Sequence, residues 1–114
     1  LYSDKFGVIT TVSEAVPVIE DNLKNYGLLD KCSFVHASNI PVLDFENKPE
    51  ETKVQMREII HNLLQEYSIG AIALGCAGMA HLAKPFSKEF NMPVVDGLYA
   101  SALLGEAMLA VPNV

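Results

Sequence analysis

Ala71-Ile72-Ala73-Leu74-Gly75-Cys76 is a run of apolar residues closed by a glycine and a cysteine. No polar residue alternates with the apolar ones, so the run reads as a strand buried on both faces. Strands of that kind belong to parallel sheets covered by helices on either side. The flanks agree. Upstream, Met56, Ile59, Ile60, Leu63, Leu64 and Tyr67 mark the buried stripe of a helix. Pro49 suits its first position, where a missing N–H costs nothing. Downstream, a helix is expected over about residues 78–90, with an irregularity at Pro85, and then a short strand Pro93-Val94-Val95-Asp96.

Further toward the N-terminus, Cys32-Ser33-Phe34-Val35-His36-Ala37 and Phe6-Gly7-Val8-Ile9-Thr10-Thr11 read as two more strands. Between them Val16, Ile19, Leu23 and Tyr26 share one helical face, and Gly27 closes that helix. Thr11 with Glu14 three residues later has the form of a capping box, with Ser13 as a rival cap. Pro17 blurs the helix start, because a proline past the first turn loses a hydrogen bond. Residues 39–48 read as a loop with an apolar plug at Val42, Leu43 and Phe45. Four β-α units in series predict a single α/β domain over residues 1–114. Its four-stranded parallel sheet is flanked by helices in a flavodoxin-like three-layer sandwich with right-handed crossovers. No internal repeat, linker or low-complexity tract interrupts it.

A last helix is expected over about residues 98–110, with Leu98, Tyr99, Leu103, Leu104, Met108 and Leu109 on nearly every side. Such a helix needs cover all round. A four-stranded domain hardly supplies that, so a neighbour is expected, either another half of the chain or another subunit. The lack of an initiator Met, with the first strand close behind Leu1, suggests an excised piece.

Composition narrows the function classes. Of 114 residues half are apolar and 19% charged, with a formal net charge of -6 and a pI near 4.9. The acidic balance, with no Lys/Arg cluster, argues against a nucleic-acid partner. The longest nearly uncharged stretch, residues 94–111, is broken by Asp96 and Glu106 and reads as a buried helix rather than a membrane span. No basic segment precedes an apolar one at the start, so no signal peptide is expected. Two cysteines make no disulfide framework, and no metal-binding Cys/His spacing occurs. A reducing, cytoplasmic setting is the expectation. His36, His61 and His81 share no spacing. His61 is expected at a helix surface, and His81, about a turn past Cys76, reads as solvated or capping. The acidic residues between 46 and 51 read as a solvated loop and helix start.

Open parallel sheets bind ligands beyond the C-terminal ends of their strands. Three clusters converge there: Thr10-Thr11, Gly75-Cys76-Ala77-Gly78 and Asp96-Gly97. Cys76 ends a strand just before a helix, whose free N–H groups and partial positive charge favour a thiolate. The glycines around it let a ligand approach the backbone closely. Against this, a free cysteine is often simply a small buried hydrophobe. Thr10 and Thr11 either offer hydroxyls to a ligand carbonyl or cap the helix, and the two roles are compatible. Asp96 either orients a ligand N–H or caps the last helix.

Leu74-Gly75-Cys76-Ala77-Gly78-Met79-Ala80 followed by Pro93-Val94-Val95-Asp96-Gly97 resembles the second cysteine motif of the hydantoin and allantoin racemase family, within the aspartate/glutamate racemase superfamily. Residues 6–11 and 16–21, Tyr26-Gly27-Leu28 and Pro41-Val42-Leu43-Asp44 are similar to that family's mid-chain segments. Glutamate racemases usually carry Thr-His after this cysteine, where this chain has Ala77-Gly78. The resemblance covers nearly all of this chain but about half of a typical member, its C-terminal half.

The resemblance implies two-base racemisation of a 5-substituted hydantoin or of allantoin, without metal or organic cofactor. Cys76 would be one acid/base residue, and Thr10, Thr11, Gly75, Ala77, Gly78 and Asp96 would line the substrate. The opposing cysteine would lie in an N-terminal lobe that this chain lacks, and the enzyme would self-associate. The isolated chain is then expected to be inactive. Cys32 does not replace the missing base. It opens its strand where Cys76 closes another, so the two stand about a strand length apart, ~17–20 Å. Other readings are a flavodoxin-like anion-binding module using Thr10, Thr11 and Ser13, or another superfamily reaction such as amino-acid racemisation or malonate decarboxylation.

Overall fold

In the computed structural model, which describes residues 5–97, four parallel strands form one sheet: β1 (Phe6–Thr10), β2 (Cys32–Ala37), β3 (Ala71–Leu74) and β4 (Val94–Asp96). Their spatial order is β2-β1-β3-β4. The chain moves outward from β1 to β2, then crosses back to the far side of β1. With right-handed connections this reversal puts the intervening helices on opposite faces. The helices are α1 (Ala15–Asn25), α2 (Asp44–Asn47), α3 (Pro49–Glu66) and α4 (Ala83–Phe90).

The core divides accordingly. On one face Phe6, Val8, Ala71 and Ala73 pack with Ile19 and Leu23 of α1 and with Leu28. On the other, Ile9, Phe34, Ile72, Leu74 and Val94 pack with Met56, Ile60 and Leu63 of α3 and Phe86 of α4. This is the expected three-layer α/β sandwich. The expected last helix lies outside the described residues. Among the described residues no helix is long and apolar enough to cross a membrane.

Helix ends obey local chemistry, with one correction. Gly27, at φ +75°, ends α1. Its N–H donates to Lys24 O at 3.0 Å and that of Leu28 to Leu23 O at 2.8 Å, the paired bonds of a Schellman end. At the other end the expected capping box does not form. The cap position is Glu14, and no side chain caps it. The chain turns instead through Ala15 N–H to Val12 O and Val16 N–H to Ser13 O, both 3.1 Å. Pro17 therefore falls in the first turn, where its missing N–H has no helical partner to lose.

Two further expectations are corrected. The helix expected over residues 78–90 is two pieces: a 3-10 segment, Ala77–Leu82, and then α4. Pro85 gives the reason, since within one continuous helix it would remove an interior hydrogen bond, whereas here it sits in the first turn of α4. In the loop after β2 the core is plugged by Ile40 and by Phe45 of the short α2, whereas Val42 and Leu43 are 44% and 67% exposed.

The strand register carries a bulge that sequence periodicity did not show. Phe6 pairs with Cys32 but Gly7 pairs with Phe34, so Ser33 is an extra residue in β2. A bulge reverses the face of the residues beyond it. Cys32 consequently packs on the α1 side and Phe34 on the α3 side. The Phe34 ring fills the space where Gly7 lacks a Cβ and tilts against Tyr67 at a centroid distance of 5.0 Å.

Candidate active site

The strand order reverses between β1 and β3, and the crevice beyond the C-terminal ends of such a strand pair is where open α/β sheets take ligands. β1 and β3 run in register with Ile9 beside Leu74, and Gly75 N–H extends the pairing to Ile9 O at 2.7 Å. Beyond the paired residues, Thr11 directly follows β1 and Cys76 follows β3 by two residues, at the same end of the sheet. The cysteine and the threonine pair, far apart in sequence, thus lie at the same end of adjacent strands.

Cys76 is extended, at φ -137° and ψ 132°, and its carbonyl accepts from Met79 N–H at 3.0 Å to start the 3-10 turn. It is half-buried and unoxidised. It packs at the margin of the α3-side core rather than within it, which weakens its reading as a plain core residue. Because the turn is 3-10, the α-helical dipole expected to begin at Cys76 begins only at Ala83. Gly78 closes the turn against the loop after β2. A Cβ there would stand 3.2 Å from Val42 Cγ1 and 3.8 Å from Cys76 Sγ. A hollow of about 350 Å³ adjoins it, lined by Val42, Leu43, Phe45, Pro49, Gly78 and His81 together with Glu46.

Thr10 and Thr11 are 2% and 4% exposed. Among the described residues neither hydroxyl has a hydrogen-bond partner. Burying a hydroxyl without a partner costs about 1–3 kcal/mol, so both hydroxyls call for a partner beyond the described residues. Capping, the competing role for Thr11, is absent.

The remaining candidates separate. Gly75 and Ala77 flank Cys76 in the same crevice. Asp96 is exposed and level with Leu74 on β4, so it stands one strand over and about 7 Å short of Cys76 along the sheet. The last helix it was expected to cap lies outside the described residues. His36 lies in β2 beside Ile9. His61 faces a groove between α3 and α4 with Arg57 and Glu89, and His81 is exposed. Among the described residues no three His, Cys, Asp or Glu side chains cluster as metal ligands.

Cys32 is excluded from the crevice in two ways. It is level with Phe6 and hence with Ala71, so it lies about 17 Å below Cys76 along the strands. It also packs on the opposite face. Burial pushes its thiol up to about 11, with the charge of Glu20 adding to the rise. Its Sγ donates to Phe34 O at 3.2 Å. A thiol so held is a poor base near neutral pH.

One polar residue, Asn39, is tied to the end of β1 by a loop that the sequence pattern does not reveal. The loop leaving β2 is sewn across the end of β1: Ser38 N–H donates to Thr10 O at 2.8 Å and Asn39 N–H to Thr11 O at 2.7 Å. Ser13 Oγ donates to Asn39 Oδ1 at 3.2 Å. Asn39 has φ +59°, a conformation asparagine tolerates better than most residues. An asparagine just before Ile40-Pro41 was the only signal of this turn in the sequence.

The fold is thus an open parallel α/β sheet with a free cysteine and, among the described residues, two buried hydroxyls without a partner near its switch point. Residues 1–104 match the model of the Asp/Glu/hydantoin racemase family, and the chain belongs to that family. It is 38% identical to a hydantoin racemase of Rhizobium meliloti over 94% of this chain and 44% of that protein. It is 32% identical to a hydantoin racemase of Pseudomonas sp. (strain NS671) over 92% and 42%. Its fold superposes on the allantoin racemase from Klebsiella pneumoniae with a TM-score of 0.77 and 33% identity, covering 95% of this chain and 44% of the other. The chain thus spans less than half the length of these relatives.

Proposed function

We propose that this chain is the cysteine-bearing second lobe of a two-lobed racemase of 5-substituted hydantoins or allantoin, in which Cys76 is one of two acid/base residues. The Cys76 thiolate takes the proton from C5 of the ring and becomes a thiol. The electron pair left on carbon delocalises into the adjacent C4 carbonyl as an enolate. A second thiol, on the opposite ring face and in the other lobe, returns a proton to C5 and becomes a thiolate. One proton is removed and one added, so the reading calls for no metal or organic cofactor. The carbon acid is weak, and the rate must come from a base held close and from donors at the oxygen where charge develops.

The observation that supports this reading is that Cys76 and the buried Thr10 and Thr11, whose hydroxyls have no partner among the described residues, lie at the same end of the adjacent strands β1 and β3. Gly75, Ala77 and Gly78 would let the ring lie against the turn, and Asp96 would act from its margin. The isolated chain, lacking the second base, would be inactive. The whole enzyme would act in the cytoplasm on a small molecule, as a homo-oligomer. Ser13, which an anion-binding module would need as a third hydroxyl, is already engaged with Asn39, which weighs against that alternative.

The test is α-proton exchange in deuterated water with the full-length protein. Cys76→Ser and Cys76→Ala are expected to abolish exchange from one enantiomer. Unchanged exchange from both enantiomers would sink the proposal. Activity on amino acids but on no hydantoin would favour the amino-acid racemase alternative.

A further inference from the structure

We propose that Asn39 is a further substrate-binding residue of this site, whose side-chain NH2 donates to the ring carbonyl that becomes the enolate oxygen. The inference rests on the racemase reading above and adds to it a residue that neither motif resemblance nor periodicity singled out.

The loop over residues 38–42 fixes the position of Asn39. It leaves β2 and crosses the end of β1, bonded to it at Ser38 N–H to Thr10 O and Asn39 N–H to Thr11 O. It then comes against the Cys76 turn, where Val42 would stand 3.2 Å from a Cβ at Gly78. Asn39 sits between these anchors, bonded to Thr11 where the chain leaves β1 beside β3 and the Cys76 turn. Its position is therefore set relative to the cysteine from both ends.

Its orientation is fixed too. Oδ1 accepts the Ser13 hydroxyl at 3.2 Å, so Nδ2 is the polar atom left over, and among the described residues it has no partner. Asn39 is exposed, so Nδ2 is accessible to a ligand bound over the ends of β1 and β3. A buried amide would have had to find an internal partner. The backbone at φ +59° is held there by the Thr11 bond, and uncommon backbone conformations maintained by their surroundings concentrate at ligand sites. Side chains alternate along a strand, so Thr11, next after Thr10, falls on the face of Ile9 and Cys76, and its hydroxyl and the Asn39 amide are the donors on the side of the cysteine. An amide already held by Ser13 needs no reorganisation as the enolate charge forms.

The test uses the full-length enzyme with a racemisable hydantoin. Asn39→Gly keeps the positive φ and deletes the amide, and Asn39→Asp keeps the shape and replaces the donor by an acceptor. Asn39→Gly is expected to lower kcat by about 10²-fold, as loss of one oxyanion donor does, with little change in Tm. Asn39→Asp is expected to be at least as impaired at neutral pH and to recover partly as the carboxyl takes up a proton at lower pH. Ser13→Ala is expected to give a smaller loss in kcat. Wild-type kcat in Asn39→Gly, or a lowered Tm with kcat intact, would overturn the inference while leaving the racemase reading standing. Exchange absent in the wild-type enzyme itself would overturn both.

Discussion

Gly78 and Val42 are in contact across the candidate site: any Cβ at position 78 would meet Val42 Cγ1 at 3.2 Å, with Cys76 Sγ 3.8 Å away. That is tighter than ordinary packing, so either Val42 or the Cys76 turn must yield. Gly78→Ala is expected to cost about 1 kcal/mol and to slow α-proton exchange several-fold. Adding Val42→Ala should restore part of both, a coupling that urea melts and exchange rates in a double-mutant cycle would read.

Thr10 and Thr11 should separate stability from function. Each hydroxyl is buried and, among the described residues, unpaired. Exchanging it for a methyl removes a desolvation penalty without losing a bond. Thr10→Val and Thr11→Val are therefore expected to leave Tm unchanged or raise it, while lowering turnover. A clear fall in Tm would mean that the hydroxyls serve the fold instead.

Gly7 offers a test of the fold free of any assumption about function. A Cβ at this position would lie 2.0 Å from Phe34 Cζ, and the ring is backed by Tyr67. Overpacking a closed site of this kind costs about 3 kcal/mol. Gly7→Ala should lower the denaturant midpoint sharply, and Phe34→Leu in the same chain should recover part of it.

Cys32 predicts an alkaline limb in the stability profile. Burial raises its thiol from the ordinary 9.0 to about 11. Between those values the folded state keeps a proton that the unfolded chain has lost, so stability falls as pH rises. The contribution is whole below pH 9 and gone once pH passes 11. Urea midpoints measured from pH 8 to 11 should decline less steeply in Cys32→Ala than in the wild type. Equal slopes would count against a shifted thiol.

Much of this was legible in the amino-acid order, because burial leaves a periodic trace. The unbroken apolar run through Leu74 announced a strand covered on both faces, and the helical stripe from Met56 to Leu63 announced its cover. Together they determined a parallel α/β sheet with Cys76 at the C-terminal end of a strand. The opposed positions of Cys32 and Cys76 along the sheet were legible too, since the one opens its strand and the other closes the run.

Tertiary structure alone decided what depends on partners distant in sequence. The extra residue at Ser33 turns Cys32 to the face away from Cys76, and a bulge exists only in the pairing of two strands. Thr11 looked like a helix cap, but α1 begins later, with its cap position at Glu14, and among the described residues the hydroxyl has no partner. Asn39 looked like an ordinary turn residue until bonds from Ser13 and to Thr11, each more than twenty residues away, gave it a place and an orientation. Local pattern records which side chains avoid water, but it does not record which polar atoms remain without a partner once the chain has closed on itself.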